Sequence, residues 1–241
     1  MLPYEVSVLI AIQARSTSTR LPGKIFELIG DKTILQRVID QANSSKRHIE
    51  RSSRQKSIKV EVAVLHPAND RSIIDCFKQK VHLISGDELN VLSRYVEACA
   101  LMKPDFIVRL TSDCPLILDY VISKHINAAV LNELDYVSNV EESCRTMADG
   151  FDCEVLSRKA VNWLEENAVD RSDLEHVTTA IRRVKPKELS MGFVMAKLDT
   201  SKMKMSVDTK EDLARSREIY HERENKKELA KRMFGKNVFE I

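Results

Sequence analysis

Glycine is scarce in this chain, with six residues in 241. Neither the phosphate-loop spacing G-x-x-x-x-G-K-[ST] nor the dinucleotide fingerprint G-x-G-x-x-G occurs, so the two commonest nucleotide-binding loops are excluded. Long hydrophobic runs are also missing. The apolar run Val6–Ile12 is too short to cross a bilayer and is ended by Arg15, so no membrane partner is expected. No basic leader with a small-residue cleavage site is visible, and a cytoplasmic location is expected. Cysteine is limited to Cys76, Cys99, Cys114, Cys144 and Cys153, an odd number without a C-x-x-C pair. That argues against a disulfide framework or a zinc ribbon and for free thiols in a reducing compartment. Charge of one sign is not in excess either: 38 Lys and Arg against 36 Asp and Glu leave a net +2, which gives no basis for nucleic-acid binding. The stretch 43–59 carries six Lys or Arg against one Glu, yet it lacks interleaved aromatic residues for base stacking and reads as a solvated, mobile insertion.

A hydrophobic fraction of 43% is enough for a sizeable core, and 31% charge gives a polar surface. We expect one domain over residues 1–220 and a helical tail over 221–241, whose Leu229, Met233, Phe234, Val238 and Phe239 form a docking apolar end. Strand-like and helix-like periodicities alternate. Val6–Ile12 reads as a strand, and Ile34, Leu35, Val38, Ile39 and Ala42 recur at helical spacing. Lys59–Leu65 reads as a strand, Asp70–Lys80 as a helix, Val81–Ile84 as a strand and Glu88–Met102 as a helix. Asp105–Leu110 is a further strand, followed by a helix near Asp119–Leu131. This order predicts an α/β fold of three layers, a doubly wound and mostly parallel sheet with helices on both faces. Ligands then bind beyond the carboxyl ends of the strands.

The first of those ends is the most informative. Gln13-Ala14-Arg15-Ser16-Thr17-Ser18-Thr19-Arg20-Leu21-Pro22-Gly23-Lys24 carries three cations and no acid. Its hydroxyls, backbone amides, two guanidiniums and one ammonium suit a polyphosphate, although taken alone it is also an ordinary solvated basic loop. Gly23, Gly86 and Gly150 all lie beside charged or hydroxyl residues in predicted loops, where glycine permits close approach of a ligand. Asp113, before Cys114-Pro115, reads as a turn aspartate, and Asp208, ahead of Glu211-Asp212-Leu213, reads as a helix N-cap. Asp87 is a candidate N-cap, and Glu175 and His176 lie near the start of a helix. Strand alternation would turn Asp152 and Glu154 to one side, to orient hydroxyls, bind a metal or hold a basic side chain.

The loop resembles the Q-A-R-x-x-S-T-R-L-P-G-K signature of the cytidylyltransferases that make CMP-activated acids: the Kdo and acylneuraminate synthetases and, most closely, the spore-coat polysaccharide type. Val108–Leu116 is similar to that family's R-x-T-G-D-C-P-L-I segment, and Asp149–Val155 to its D-G-L-D-V-E-V. Leu174–Thr178 is similar to its R-E-H-V-T, and Ser206–Leu213 to its T-V-D-T-P-E-D-L. Ser93, Ser112 and His66 depart from the residues common there.

The resemblance implies a GT-A-like nucleotide-diphospho-sugar transferase sheet and transfer of CMP from CTP to a small acidic acceptor with release of pyrophosphate. Arg15, Lys24 and Asp113 are then the catalytic candidates. Ala14, Arg15, Ser18, Arg20, Lys24, Ser85, Gly86, Arg94 and Asp113 would bind the nucleotide. Asp113 and Asp208 would hold Mg²⁺ or Mn²⁺, and Asp149, Asp152, Glu154, Glu175 and His176 would serve the acceptor. Homodimers pairing through about Asp135–Lys197 are implied too, with Met191–Ala196 an apolar run that either pairs subunits or forms an internal strand. An NDP-linked product made from a phosphate or phosphonate acceptor, and a lapsed nucleotide-binding module, are the alternatives.

Overall fold

A computed structural model describes residues 5–52 and 56–234, with side chains described as far as residue 225. Its elements in chain order begin with β1 (Val6–Gln13), the short hairpin β2 (Leu28–Ile29) and β3 (Lys32–Thr33), and α1 (Ile34–Ser52). They continue through β4 (Ile58–Pro67), α2 (Arg71–Phe77), β5 (His82–Gly86), α3 (Val91–Met102), β6 (Phe106–Thr111) and α4 (Asp119–Leu131). The last part holds β7 (Tyr136–Ser138), β8 (Glu154–Ser157), α5 (Arg158–Asn167), α6 (Arg171–His176), α7 (Thr179–Val184), β9 (Met191–Phe193) and α8 (Lys210–Phe234).

Seven strands form one sheet in the order β5-β4-β1-β6-β8-β7-β9. Only β8 runs antiparallel to its neighbours β6 and β7; the other pairings are parallel. Parallel strands need crossovers, and the helices supply them on both faces. The strand period of two sorts β1 between the layers. Val6, Val8, Ile10 and Ile12 pack with α1, α2 and α4 on one face. Leu9 and Ala11 pack with α3 and α5 on the other. Each fully buried aliphatic side chain contributes about 1.5–3 kcal/mol of burial energy, so the double-faced central strands dominate the core. The expected three-layer, mostly parallel α/β fold is the one observed.

Three expectations are corrected. The basic stretch from residue 43 is not a loop as far as Ser52. It continues α1, because Ala42, Ser45 and Ile49 extend the buried helical stripe begun at Ile34. Residues 53–55 of that stretch lie outside the described residues. Asp87 does not cap α3: its carboxylate accepts from the amides of Leu89 and Asn90, and Asn90 caps the helix through Ser93. Glu175 and His176 close α6 and do not begin a helix.

Met191–Phe193 is the edge strand β9, paired in parallel with β7, so that part of the run is a sheet strand. The tail expected from His221 continues α8, which starts at Lys210. Residues 235–241, with Val238 and Phe239, lie outside the described residues.

Candidate active site

The carboxyl ends of β1 and β6 open into a cavity of about 290 Å³. Its walls carry the side chains of five cations, Arg15, Arg20, Lys24, Arg94 and Arg109, against three carboxylates, Asp113, Glu175 and Asp208. That excess suits a polyanion. Ala14, Ser18 and His176 line it as well.

The basic loop is held by one buried aspartate. Asp70 caps α2 by accepting from the Ile73 amide with one oxygen, and with the other it accepts from the Ser16 amide at 2.7 Å. The Gly23 amide then closes the loop on the Ser16 carbonyl at 3.0 Å. Gly23 sits at φ +70°, a left-handed turn that glycine tolerates without strain. One turn of 3₁₀ helix follows, with Ile25 fully buried, and it fixes the backbone of Lys24.

Lys24 is the centre of the constellation. Its Nζ donates to Asp113 Oδ2 at 2.9 Å, the Val207 carbonyl at 2.7 Å and Asp208 Oδ1 at 3.0 Å. Arg20 pairs with the same Asp208 oxygen at 2.8 Å, and Lys204 with the other at 3.1 Å. Burial works against ionisation of Asp208, yet the hydrogen bonds and charges of Lys24 and Lys204 outweigh it and hold the carboxyl below its usual range.

Asp208 is therefore not the N-cap of α8. The Thr209 hydroxyl accepts from the Asp212 amide, and the Asp212 carboxylate accepts from the amides of Asp208 and Thr209. This capping box leaves the Asp208 side chain to the cavity. Asp113 lies in the turn after β6, as expected, and its carboxylate accepts from Lys24 and lines the cavity.

The segment before Asp208 is docked on Asp149 and Gly150. Asp149 bridges Lys204 in parallel, and its carboxylate accepts from the Ser206 hydroxyl at 2.6 Å. A Cβ on Gly150, at φ +100°, would fall 2.5 Å from the Met205 carbonyl carbon and the Ser206 nitrogen. Only glycine admits that approach.

The five acceptor candidates divide. Glu175 and His176 line the cavity, with Glu175 3.9 Å from the Arg15 guanidinium. Val177 behind them adopts φ +63° and ψ −61°, and the Thr178 amide donates to the His176 carbonyl at 2.7 Å. This is a γ-turn of the rarer hand, strained for a β-branched residue, and it terminates α6 at the cavity wall.

Asp149, Asp152 and Glu154 are not among the lining residues. Asp152 precedes β8 and pairs with Arg145 at 2.6 Å, while burial pushes its carboxyl up to about 6. Glu154, in β8 and 1% exposed, accepts from Arg109 at 2.6 Å and from the Tyr136 hydroxyl. It holds a basic side chain.

On the nucleotide side, Arg94 lines the cavity, whereas Ser85 and Gly86 end β5 outside it. Gly86 makes room for Arg94, since a Cβ there would meet Arg94 Cγ at 2.9 Å. The Arg94 guanidinium donates to the carbonyls of Asp87 and Glu88, and burial lowers its pKa. Gln13, Arg109 and Thr111 line the cavity although the sequence did not single them out. Their placement follows from strand ends, and Arg109 is recognisable once Glu154 is seen opposite it on β8.

An α/β sheet with a basic loop after its first strand and two aspartates converging on that loop's lysine defines a nucleotidyltransferase-like site. The chain belongs to the cytidylyltransferase family, whose model matches residues 9–240. It is 30% identical over 171 residues to an uncharacterized protein of Methanocaldococcus jannaschii, covering 70% of this chain and 65% of that one, just under two thirds of the relative's length. It is 28% identical to the spore coat polysaccharide biosynthesis protein SpsF of Bacillus subtilis over 88% of this chain and 86% of that one. Among solved structures, a cytidylyltransferase from Leptospira borgpetersenii superimposes with a TM-score of 0.73 at 28% identity, covering 86% of this chain and 84% of that one.

Proposed function

We propose that this protein transfers CMP from CTP to a small acidic acceptor, releasing pyrophosphate, in the biosynthesis of a surface polysaccharide or glycoconjugate. The observation that carries the reading is the convergence of Arg15, Arg20, Lys24, Asp113 and Asp208 in one cavity at the strand ends. Family membership and the likeness to a spore coat polysaccharide protein support it.

In this reading Arg15 and Arg20 fork across triphosphate oxygens, where planar guanidiniums bind well, and Lys24 meets charge developing on the leaving pyrophosphate. Asp113 and Asp208 fit a divalent cation. Both are hard oxygen donors, and both lie within 3.0 Å of a single cationic nitrogen. Mg²⁺ or Mn²⁺ held there would offset charge on the phosphates. Glu175 and His176 face the remaining wall and would orient the acceptor, whose nucleophilic oxygen attacks the α-phosphorus in line with the departing pyrophosphate. Asp113→Asn and Asp208→Asn keep side-chain size and remove charge. Each is expected to cut pyrophosphate release at least about 100-fold, as for loss of one preorganised electrostatic group. Full activity of both variants at low millimolar Mg²⁺ would remove the carboxylates from the reaction.

Pairing of two copies through about residues 135–197 belongs to the same reading. Phe193 and Met195 are 42% and 51% exposed on and just beyond the edge strand β9, and Leu198 beside them is 75% exposed. An apolar edge of this kind suits burial against a second copy. Light scattering is expected to give twice the chain mass of 27.5 kDa, and a stable monomer at micromolar concentration would count against pairing.

A further inference from the structure

Lys24 is 8% exposed, and its ammonium has no donor to spare. The three N–H groups of a lysine are matched by three protein acceptors: Asp113 Oδ2, the Val207 carbonyl and Asp208 Oδ1. A lysine bound in this way cannot reach a phosphate without giving up at least one of them. The acceptors are also two carboxylates and a carbonyl, an oxygen set that hard divalent cations take. Two carboxylates gathered this closely repel one another unless a cation stands between them.

We propose that Lys24 is the resident counter-cation of the divalent-metal site. Its ammonium holds Asp113, Asp208 and the Val207 carbonyl together before substrate arrives. A metal carried in on the nucleotide triphosphate takes its place, and Nζ turns to the phosphates. The inference rests on the reading of Asp113 and Asp208 as metal ligands. The backbone at Lys24 is anchored by buried Ile25, so the exchange is a side-chain movement. Asp208 also has Arg20 and Lys204 as partners before substrate arrives.

Metal alone would have to displace an ammonium that has no anion to receive it, and so binds poorly. Triphosphate supplies that anion. Metal and nucleotide are then coupled through Lys24, each strengthening the other by the same factor.

The test is Mn²⁺ binding, followed by electron paramagnetic resonance, with and without α,β-methylene-CTP, which cannot transfer CMP. For the unaltered protein we expect Mn²⁺ affinity to rise at least about tenfold when the nucleotide analogue is present. Lys24→Met removes the resident charge. It should bind Mn²⁺ alone at least about tenfold more tightly than the unaltered protein, with the nucleotide effect reduced to match. Unchanged or weaker Mn²⁺ binding by this variant would overturn the proposal. Should Lys24→Met not fold, Lys24→Gln, which retains a hydrogen-bond donor, carries the same expectation and the same refutation. Asp113→Asn and Asp208→Asn separate the two readings. If they leave Mn²⁺ binding intact, the metal-ligand assignment fails and the proposal with it. If they abolish it while Lys24→Met changes nothing, only the role given to Lys24 fails.

Discussion

Arg109 and Glu154 show how a single pair is held under the site. The Arg109 side chain is 12% exposed and Glu154 is 1% exposed, so the guanidinium and carboxylate compensate each other out of water. Burial lowers the Arg109 pKa, but the charge and hydrogen bond of Glu154, together with Tyr95 and Tyr136, outweigh it and the net direction is upward. Glu154→Ala would leave a buried guanidinium without its counter-ion, at a cost of about 3–5 kcal/mol in urea unfolding. Replacing both residues together by Met and Leu should cost less, because no charge is stranded. A loss below about 1 kcal/mol for Glu154→Ala would mean that Arg109 is hydrated in solution. The pair also marks where the sequence stops being legible. Arg15, Arg20 and Lys24 are readable because they cluster in one acid-free loop. Arg109 and Glu154 are 45 residues apart, and Asp70 is 54 residues from the Ser16 amide that it holds. No local pattern joins such partners; strand register and loop closure do.

At the scale of elements, the long early strands and helices were legible from their periods of two and 3.6, while most of β7–β9 and α5–α7 went unread. Those elements have three to ten residues each, too few for a period to stand out. The start of α8 illustrates a different limit. Asp208 and Thr209 both qualify as N-caps by residue type, and only the hydrogen bonds of Asp212 decide between them. Burial opposes ionisation of Asp212, but Lys204, Arg215 and the Asp208 amide outweigh it and hold the carboxyl well below the usual range. Asp212→Ala should lower thermal stability by about 1 kcal/mol through loss of the cap. It should also slow pyrophosphate release, although Asp212 does not line the cavity, because Asp208 loses its backbone anchor. An Asp212→Ala variant with unaltered turnover would show that Asp208 is positioned by its cationic partners alone.

For the whole molecule, His125 in α4 links pH to stability. It is fully buried, its Nδ1 bonds the Val121 carbonyl at 2.7 Å, and burial lowers its pKa to about 4 despite that bond. An unfolded histidine titrates near 6.5, so between about 6.5 and 4 the unfolded chain takes up a proton that the native state refuses. The contribution of His125 is present above that window and is lost as pH falls through it, by about 3 kcal/mol in all. Urea unfolding of the unaltered protein and His125→Gln at pH 7.5 and 4.5 should therefore show a smaller acid loss in the variant. Equal losses would remove His125 from the acid response. Among the described residues no helix is long and apolar enough to cross a membrane. The central question for the molecule is whether the cavity transfers CMP. Pyrophosphate release should be measured with CTP, UTP, ATP and GTP and Mg²⁺, across Kdo-like and sialic-acid-like sugars, sugar phosphates, aminoalkyl phosphonates and a tRNA control. Turnover is expected with CTP and an acidic sugar, abolished by chelating the metal and by Asp208→Asn. Turnover with tRNA alone, or CTP turnover indifferent to metal and to Asp208, would contradict that expectation.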